Sequence, residues 1–225
     1  FDDDFMEDDD TQAEEECQSL ESYNRFMTEK NDYFFTKIVQ PVSNGYKTIT
    51  NEPIRDGIDN FFYNIKFPLR FINNLLQLQL VDTLEETGIF VINTTIGILG
   101  IFKPAQSFFG LESHQEDFGQ TLGYYGVESG CHIVLPLLGP SNMRDMLGLT
   151  VDTGFNNLYV DYNSQEKKLK LYENTTDEIA GKTFEKLNNA PKSLKTYNEI
   201  KKDAIDLYPY LRDMYEQSRQ QQIKE

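Results

Sequence analysis

The sequence predicts an all-α fold built from amphipathic helices. Apolar residues recur at spacings of three and four in several segments, as they do along one face of a helix. Asn, Ser and Pro residues stand near the ends of those segments, where they are typical of helix boundaries. The 225 residues are 39% hydrophobic, which is ample for one core. We therefore predict a single helical domain over residues 19–225 that follows an acidic leader over residues 1–18.

The leader is defined by its charge. Residues 1–16 contain ten carboxylates and no Lys or Arg, a composition typical of a solvated, disordered segment. The whole chain carries a formal net charge of −16. This balance opposes nucleic-acid binding, which needs clustered Lys and Arg, and it opposes electrostatic adhesion to anionic lipid headgroups. Any contact with a membrane must then be apolar.

The first predicted helices are delimited by prolines. Helical signals start near Ser22, and Pro41 interrupts them. A second helix begins after the predicted N-cap Asn51, with Pro53 in its first turn, and Pro68 forces a kink or break before the third. One face of each of the last two helices is apolar, formed by Ile54, Ile58, Phe61, Phe62 and Ile65 in the second and by Leu69, Ile72, Leu75, Leu76 and Leu80 in the third.

Residues 88–102 form a stretch without any charged residue. A membrane-spanning helix needs about 20 apolar residues, and this stretch is shorter and contains Asn93, Thr94 and Thr95. Two interpretations stay open. The stretch is a buried core helix, or it lies in a membrane interface with apolar residues toward acyl chains and the Asn-Thr-Thr group toward a polar interior.

Glycines follow at positions 119, 123, 126 and 130. Spacings of three and four place small residues in one stripe of a helix, and we expect another helix to approach this stripe closely. The next apolar run is cut by Pro136 and by the pair 139–140, which predicts a hairpin-like loop before a helix capped at Ser141 or Asn142. Because loops usually face water, we expect this apolar loop to be buried or to contact lipid or a partner.

The pattern of polar and apolar residues changes in the C-terminal part of the chain. Apolar and polar residues alternate around a polar centre near residues 157–173, which predicts a short β-hairpin. Residues 198–222 are charged with both signs and form a predicted helix, with a kink at Pro209.

The sequence lacks the groups that most enzymes need. His114 and His132 are its only histidines, no GxSxG motif is present, and no glycine-rich phosphate loop follows a predicted strand. Cys131 is next to His132, but adjacent residues usually point apart on a helix or strand. Cys17 and Cys131 supply no zinc cluster, although they allow one disulfide in an oxidising compartment. We therefore predict no catalysis, no metal and no cofactor.

Several segments, in a fixed order, resemble the MlaA (VacJ) family. The match covers residues 23–152 and returns near the end of the chain. It consists of YNR (23–25), Pro41 with Tyr46, PIRDGIDNFFYNIKFP (53–68), NNLLQ (73–77), INTTIG (92–97), EDFGQTLGYYGV (116–127), LPLLGPSNMRD (135–145) and DLYPYLRDMYEQSRQ (206–220).

The resemblance implies a ring of amphipathic helices around a central channel, seated in the outer membrane from the periplasmic side of a Gram-negative bacterium. Such proteins remove phospholipids mislocalised to the outer leaflet and pass them to a soluble periplasmic carrier, in association with a trimeric porin. Cys17 follows the acidic leader without a preceding apolar signal, so we expect the fold itself to hold the membrane. Alternatives are a soluble periplasmic or surface interaction protein without a lipid channel and, more weakly, a lipid-modifying hydrolase.

The resemblance also implies three groups of site residues. Neutral polar residues would contact headgroups or line the channel, namely Asn60, Asn73, Asn93, Thr94 and Thr95. Charged residues would act in the scaffold or the channel, namely Arg55, Asp117, Arg144 and Asp145, with Arg144 and Asp145 pairing with Arg55 or Asp117. A mobile hairpin loop would lie beside the channel, formed by Leu135, Pro136, Leu137, Leu138, Gly139 and Pro140.

Overall fold

The computed structural model describes residues 17–162 and 175–224, without the side chains of residues 155–162 and 175–178. The predicted leader, apart from its last two residues, lies outside this part of the chain. After a helical turn at residues 17–19, the elements are α1 (Glu21–Phe34), a π-helical turn (Phe35–Val39), α2 (Gln40–Ile49), α3 (Glu52–Ile65), α4 (Phe67–Leu76), α5 (Leu80–Thr95), α6 (Pro104–Phe109), α7 (Phe118–Tyr124), β1 (His132–Leu135), β2 (Gly139–Asn142), α8 (Met143–Tyr162), α9 (Thr175–Asp203) and α10 (Leu207–Lys224). The predicted all-α class is confirmed, with one small sheet added.

The predicted boundaries of the early helices are confirmed. The side chain of Asn51 accepts a hydrogen bond from the backbone N–H of Ile54 at 3.0 Å and caps α3. Pro53 and Pro68 both lie in the first turn of their helices. A proline is tolerated there because the first N–H groups of a helix have no partner within it.

Pro41 does not break the helix but changes its winding. Because Pro41 has no N–H, it cannot donate a hydrogen bond to the preceding turn. The chain inserts a π-helical turn just before it, in which the N–H of Gln40 reaches back to the carbonyl of Phe35. At the interruption predicted from the sequence, the chain therefore stays helical and changes from α-helix to a π-helical turn between α1 and α2.

Two predicted elements differ from the structure. Residues 157–162 of the hairpin expected near 157–173 form the end of α8, so the strand predicted there is wrong, and the remainder lies outside the described residues. Among the described residues the strands are β1 and β2, which pair antiparallel.

The helix predicted over residues 198–222 is two helices, since α9 ends at Asp203 and α10 begins at Leu207. Pro209 lies in the first turn of α10, where the missing N–H removes no hydrogen bond within the helix.

The third predicted helix also ends earlier than expected. Leu78 adopts a left-handed backbone with a φ of 61°, a conformation that residues with a Cβ rarely adopt. The turn at Leu78 separates α4 from α5, so Leu80 starts the next helix instead of continuing the apolar face of α4.

The helices follow one another around a ring. α1 runs through the π-helical turn into α2, α2 packs against α9, α9 against α3, and α3 against α4. α4 then contacts α7, α7 contacts α10, and α10 returns to α1 and to β2. This closed circuit confirms the ring-like arrangement expected from the resemblance.

The distribution of polar and apolar side chains is inverted relative to an ordinary core. Among the described residues, six hydrophobic residues are buried against 22 polar or charged ones. Large hydrophobic residues are instead exposed, and many of them lie between positions 78 and 109. We call these residues the apolar surface: Leu78, Leu80, Val81, Leu84, Val91, Ile96, Ile98, Leu99, Ile101, Phe102, Phe108 and Phe109.

This inversion argues against one of the two interpretations of residues 88–102. A buried core helix over the whole stretch is wrong, because α5 ends at Thr95 and Ile96, Ile98 and Leu99, in the turns after it, are each more than half exposed. Asn93 is 1% exposed, but Thr95 is exposed, so the Asn-Thr-Thr group does not face the interior as a whole. The location of this stretch in a membrane interface stays a prediction. None of the helices in the described part of the chain is both long and apolar enough to cross a bilayer.

Candidate functional site

The hairpin formed by β1 and β2 is held against α1 by an asparagine. Asn24 is 1% exposed. Its Nδ2 donates to the carbonyl of His132 at 2.9 Å, and its Oδ1 accepts from the N–H of Val134 at 2.8 Å. A disulfide between Cys17 and Cys131 ties the same end of β1 to the start of the described chain. The bridge that the sequence allowed is therefore formed, and the base of the hairpin is fixed at two points.

A second asparagine, one heptad further along α1, holds the tip of the hairpin. Asn31 donates to the carbonyl of Leu135 at 2.9 Å and accepts from the N–H of Leu137 at 2.8 Å. Leu137 has a left-handed φ of 63° and is 53% exposed. The hairpin therefore presents an apolar tip of residues 136–138 on a polar, buried support. These two hydrogen bonds hold the tip in the observed position, and the mobility of the hairpin loop stays a prediction.

A cavity of about 830 Å³ opens beside this apolar tip. Its walls come from α1, the π-helical turn, α2, the hairpin, α9 and α10, and they are mostly apolar. The apolar lining residues include Phe34, Phe35, Ile38, Val39, Val42, Val134, Leu137, Leu138, Leu187, Ala190, Leu194 and Leu211. Lys186 and Asn189 also line the cavity and add a positive charge and an amide to its mostly apolar wall. We call this space the hairpin cavity.

The neutral polar residues predicted to contact headgroups are hydrogen-bonded within the protein. The bonds run from Asn60 Nδ2 to Ile101 O (3.1 Å), Asn73 Nδ2 to Leu69 O (3.1 Å), Asn93 Nδ2 to Gln106 Oε1 (3.1 Å), Asn64 Nδ2 to Thr94 Oγ1 (2.8 Å) and Thr95 Oγ1 to Val91 O (2.7 Å). None of the five lines the hairpin cavity. Their contact with lipid stays a prediction.

Three of the four predicted charged residues meet around Arg219, which sequence reasoning missed. Arg219 donates from Nε and Nη2 to Asp145 at 2.8 and 3.0 Å, and from Nη1 and Nη2 to Asp117 at 2.9 and 2.8 Å. Arg144 Nε and the hydroxyl of Tyr215 also donate to Asp145, at 3.0 and 2.7 Å. We call this group the Arg219 cluster.

Asp145 and Arg219 are held in their ionised forms. Burial alone would raise the pKa of Asp145, but hydrogen bonds from Arg219 and Tyr215 outweigh it and leave the pKa below its usual value. Burial acts to lower the pKa of Arg219, and the carboxylates of Asp117 and Asp145 raise it further than burial lowers it. A buried cation with two carboxylate partners ties α7, α8 and α10 together.

Arg55 does not join this cluster. Its Nη1 donates to the carbonyl of Thr50 at 2.6 Å, at the junction between α2 and α3. The pairing of Arg144 or Asp145 with Arg55 is therefore wrong, and Asp117 is linked to Asp145 through Arg219 instead. The sequence held no signal for this link, because Arg219 lies 74 residues from Asp145.

The glycine stripe makes room for the cluster. A Cβ at Gly119 would lie 2.6 Å from Asp145 Oδ1 and 2.8 Å from Arg219 Nη2, and a Cβ at Gly123 would meet the side chain of Ile223. Gly148 of α8 crosses directly against the backbone of Gly119. Close packing at positions 119 and 123 is confirmed. Positions 126 and 130 instead have left-handed φ values of 85° and 63° and lie in the connection after α7.

A second buried ion pair lies between α4 and α5. Glu86 is fully buried and accepts from Arg70 Nε at 2.9 Å, from the hydroxyl of Tyr63 at 2.7 Å and from the backbone N–H of His114 at 2.8 Å. The guanidinium of Arg70 lies over the ring of Tyr63. Burying a carboxylate requires such compensation. This polar core was not predicted from the sequence.

Asp152 is a buried carboxylate without an ion pair as close as those of Asp145 and Glu86. It accepts long hydrogen bonds from the N–H of Phe118, at 3.2 and 3.3 Å, and a further one from Asn73. Burial raises its pKa to about 6, and the nearby Asp117 adds to the shift.

The pair of Cys131 and His132 does not form a nucleophilic site. The sulfur of Cys131 is bonded to Cys17, so no thiol is free there. His132 Nδ1 lies 3.0 Å from a carboxylate oxygen of Glu216.

Comparison with known proteins gives a consistent result. A family model described as MlaA lipoprotein matches residues 17–222. An uncharacterised protein of Rickettsia bellii is 32% identical over 91% of this chain and 76% of its own length. A Haemophilus influenzae protein named intermembrane phospholipid transport system lipoprotein MlaA is 28% identical over 95% of this chain and 82% of its own.

The fold also has a counterpart among solved structures. A chain from work on the structural basis for maintenance of bacterial outer membrane lipid asymmetry has a TM-score of 0.71 and 24% identity, over 91% of this chain and 98% of that one. At this identity the likeness shows the fold.

Proposed function

The chain belongs to the MlaA lipoprotein family, and we propose that it transports phospholipid as a component of the outer membrane. In this proposal it removes phospholipids mislocalised to the outer leaflet, carries them through an amphipathic channel and passes them to a periplasmic carrier, which maintains lipid asymmetry. The named relative from Haemophilus influenzae is called a phospholipid transport lipoprotein. We propose no catalysis for this chain.

The hairpin cavity is the observation that carries the proposal. Its volume of about 830 Å³ falls within the range of roughly 300–1,000 Å³ typical of small-molecule sites. Apolar walls suit acyl chains, because burying methylene groups there removes them from water. Lys186 at the same cavity offers a cation for a headgroup phosphate. A phospholipid has this combination of long apolar chains and one anionic group.

The apolar surface supports a seat in the outer membrane. Val81, Leu84 and Phe108 are each more than 70% exposed, and a concentration of exposed apolar residues such as that between positions 78 and 109 is typical of an interaction site. In the interfacial region of a bilayer, short amphipathic helices bury such residues among acyl chains without spanning. Their backbone groups are satisfied within helices, as a lipid environment demands. We further propose the periplasmic side, a trimeric porin and a soluble carrier as its setting, on the family relationship alone.

The predicted site residues enter the proposal in two ways. Hydrogen bonds inside the protein favour a scaffold role for the Arg219 cluster and for the neutral polar residues Asn60, Asn73, Asn93, Thr94 and Thr95. The hairpin tip, with Leu137 and Leu138 in the wall of the cavity, is the segment that we propose contacts lipid and moves with it.

A matched pair of variants tests the proposal. Leu138 is 52% exposed and lines the hairpin cavity, whereas Ile205 is fully exposed between α9 and α10 and does not. We expect detergent-purified protein and its Ile205→Asp variant to carry phospholipid detectable by mass spectrometry, and Leu138→Asp to lose most of it. In a bacterium lacking its own family member, only the first two should lower phospholipid in the outer leaflet.

The alternatives predict different results. A protein that is monodisperse in plain buffer and carries no phospholipid would favour an interaction protein without a lipid channel. Release of fatty acid or headgroup from labelled phospholipid would favour a hydrolase. Equal lipid content in Leu138→Asp and the unmodified chain would remove the hairpin cavity from the transport path.

A further inference from the structure

Three metal-ligating side chains converge outside the hairpin cavity. Asp82 and Glu85 lie three residues apart on the first turns of α5, and His114 lies on the connection between α6 and α7. One ligand atom from each residue lies within 4.8 Å of the others. His114 Nε2 is 2.8 Å from Glu85 Oε2 and 3.7 Å from Asp82 Oδ1. We propose that Asp82, Glu85 and His114 bind a divalent transition-metal ion of the zinc class.

The donor set and its spacing fit such an ion. Imidazole nitrogen and carboxylate oxygen bind zinc at about 2.0–2.1 Å, which in a tetrahedral site separates neighbouring donors by roughly 3.3–3.5 Å. The two distances from His114 lie on either side of that separation, so small side-chain rotations bring all three donors to one centre. An imidazole ligand disfavours magnesium and calcium, which prefer oxygen donors. Three protein ligands leave one coordination position for water or an exogenous ligand.

The electrostatics of the cluster also favour a cation. Within the described chain, the ion pairs of Asp82 and Glu85 are with His114. Two carboxylates therefore face one imidazole, and even a protonated imidazole neutralises only one of them. The neighbouring Glu86 does not compete for the ion, because Arg70 already neutralises it at 2.9 Å. A divalent ion balances both carboxylates.

The ligands are held on a rigid support. The backbone N–H of His114 donates to the fully buried Glu86 at 2.8 Å, and its carbonyl accepts from Asn74 Nδ2 at 3.4 Å. The other two ligands project from one helix face. Pre-positioned ligands of this kind lose little conformational freedom on binding. The bound ion would join the connection before α7 to the start of α5, next to the apolar surface at Leu80 and Val81.

The test uses the full chain and two double variants. The triad variant carries Asp82→Asn and Glu85→Gln, and the control carries Glu199→Gln and Asp203→Asn, which remove two carboxylates from α9. The ten carboxylates of residues 1–16 stay in all three proteins, so their weak cation binding cancels. Cobalt(II) reports a low-coordinate site by its visible absorption, and zinc titrated against it gives the zinc affinity.

We expect the full chain and the control to bind cobalt with that absorption and to melt at a higher temperature with zinc. The triad variant should lose at least about 100-fold in affinity, beyond the 10–100-fold that loss of a merely supporting group costs. A single His114→Gln variant should lose the absorption while its melting temperature without metal stays near that of the control. No cobalt absorption in the full chain, or equal absorption in the triad variant, would overturn the proposal. Neither result depends on lipid binding.

Discussion

Replacing Arg219 by Gln removes the shared partner of Asp117 and Asp145. The stability lost at Asp145 is larger than the stability lost at Asp117. The Asp145 side chain is 7% exposed, and Arg144 and Tyr215 remain beside it, but its main cation is gone. Breaking a buried ion pair on one side costs about 3–5 kcal/mol. The Asp117 side chain is 40% exposed, so solvent screens it and it adds less than about 1 kcal/mol. We expect Arg219→Gln to lower the free energy of unfolding by about 3–5 kcal/mol.

Urea unfolding followed by circular dichroism measures this loss, with Arg212→Gln as the matched control. Arg212 lies on the same helix, and its side chain is 42% exposed beside Asp213, so its loss should cost less than about 1 kcal/mol. Adding Asp145→Asn to Arg219→Gln should recover part of the stability, because the uncompensated buried charge is removed. A loss within 1 kcal/mol of the control, or no coupling between Arg219 and Asp145, would refute the reasoning from buried charge.

Three further predictions concern stability. Gly148→Ala should destabilise by about 1–3 kcal/mol, because its Cβ would meet the backbone of α7, whereas Gly45→Ala in the open middle of α2 should stabilise by about 0.5–1 kcal/mol; thermal unfolding compares them. Asp152 has a folded pKa of about 6, raised above its unfolded value of about 3.9, so the stability it contributes is full at low pH and is lost as pH rises through 6. Asp152→Asn should therefore flatten the stability profile between about pH 4 and 6. Cys17→Ser should cost about 2–5 kcal/mol, since the disulfide closes a separation of 114 residues.

Each of these predictions has a contrary outcome. Equal melting temperatures for the two glycine variants would mean that the helix crossing at Gly148 relaxes freely. An unchanged pH profile in Asp152→Asn would place the titration elsewhere. A reducing agent should destabilise the unmodified chain and leave Cys17→Ser unaffected, and an effect on both would separate the loss from the disulfide.

Local signals predicted the starts of several helices and the hairpin-like loop before α8. Asn51 caps α3 and Asn142 caps α8, where its Oδ1 accepts from the N–H of Asp145 at 2.8 Å. Such caps act over three residues and are visible in a sequence. The β-hairpin expected near 157–173 is wrong over residues 157–162, which form the end of α8. Alternating polarity over a few residues is compatible with a strand or a helix, so the pattern alone could not distinguish them.

The sequence by itself determined an all-α chain with amphipathic faces, the proline-marked starts of α3 and α4, its ordered family motifs and the small residues of the α7 stripe. It did not determine which way the apolar faces point, because periodicity is the same for a buried face and for one exposed to lipid. Only the tertiary structure placed the polar residues inside, used Asn24 and Asn31 to hold a hairpin more than 100 residues away, and brought Arg219 to Asp145. These partners are remote along the chain, so their pairing follows from the closure of the ring, which no local pattern encodes.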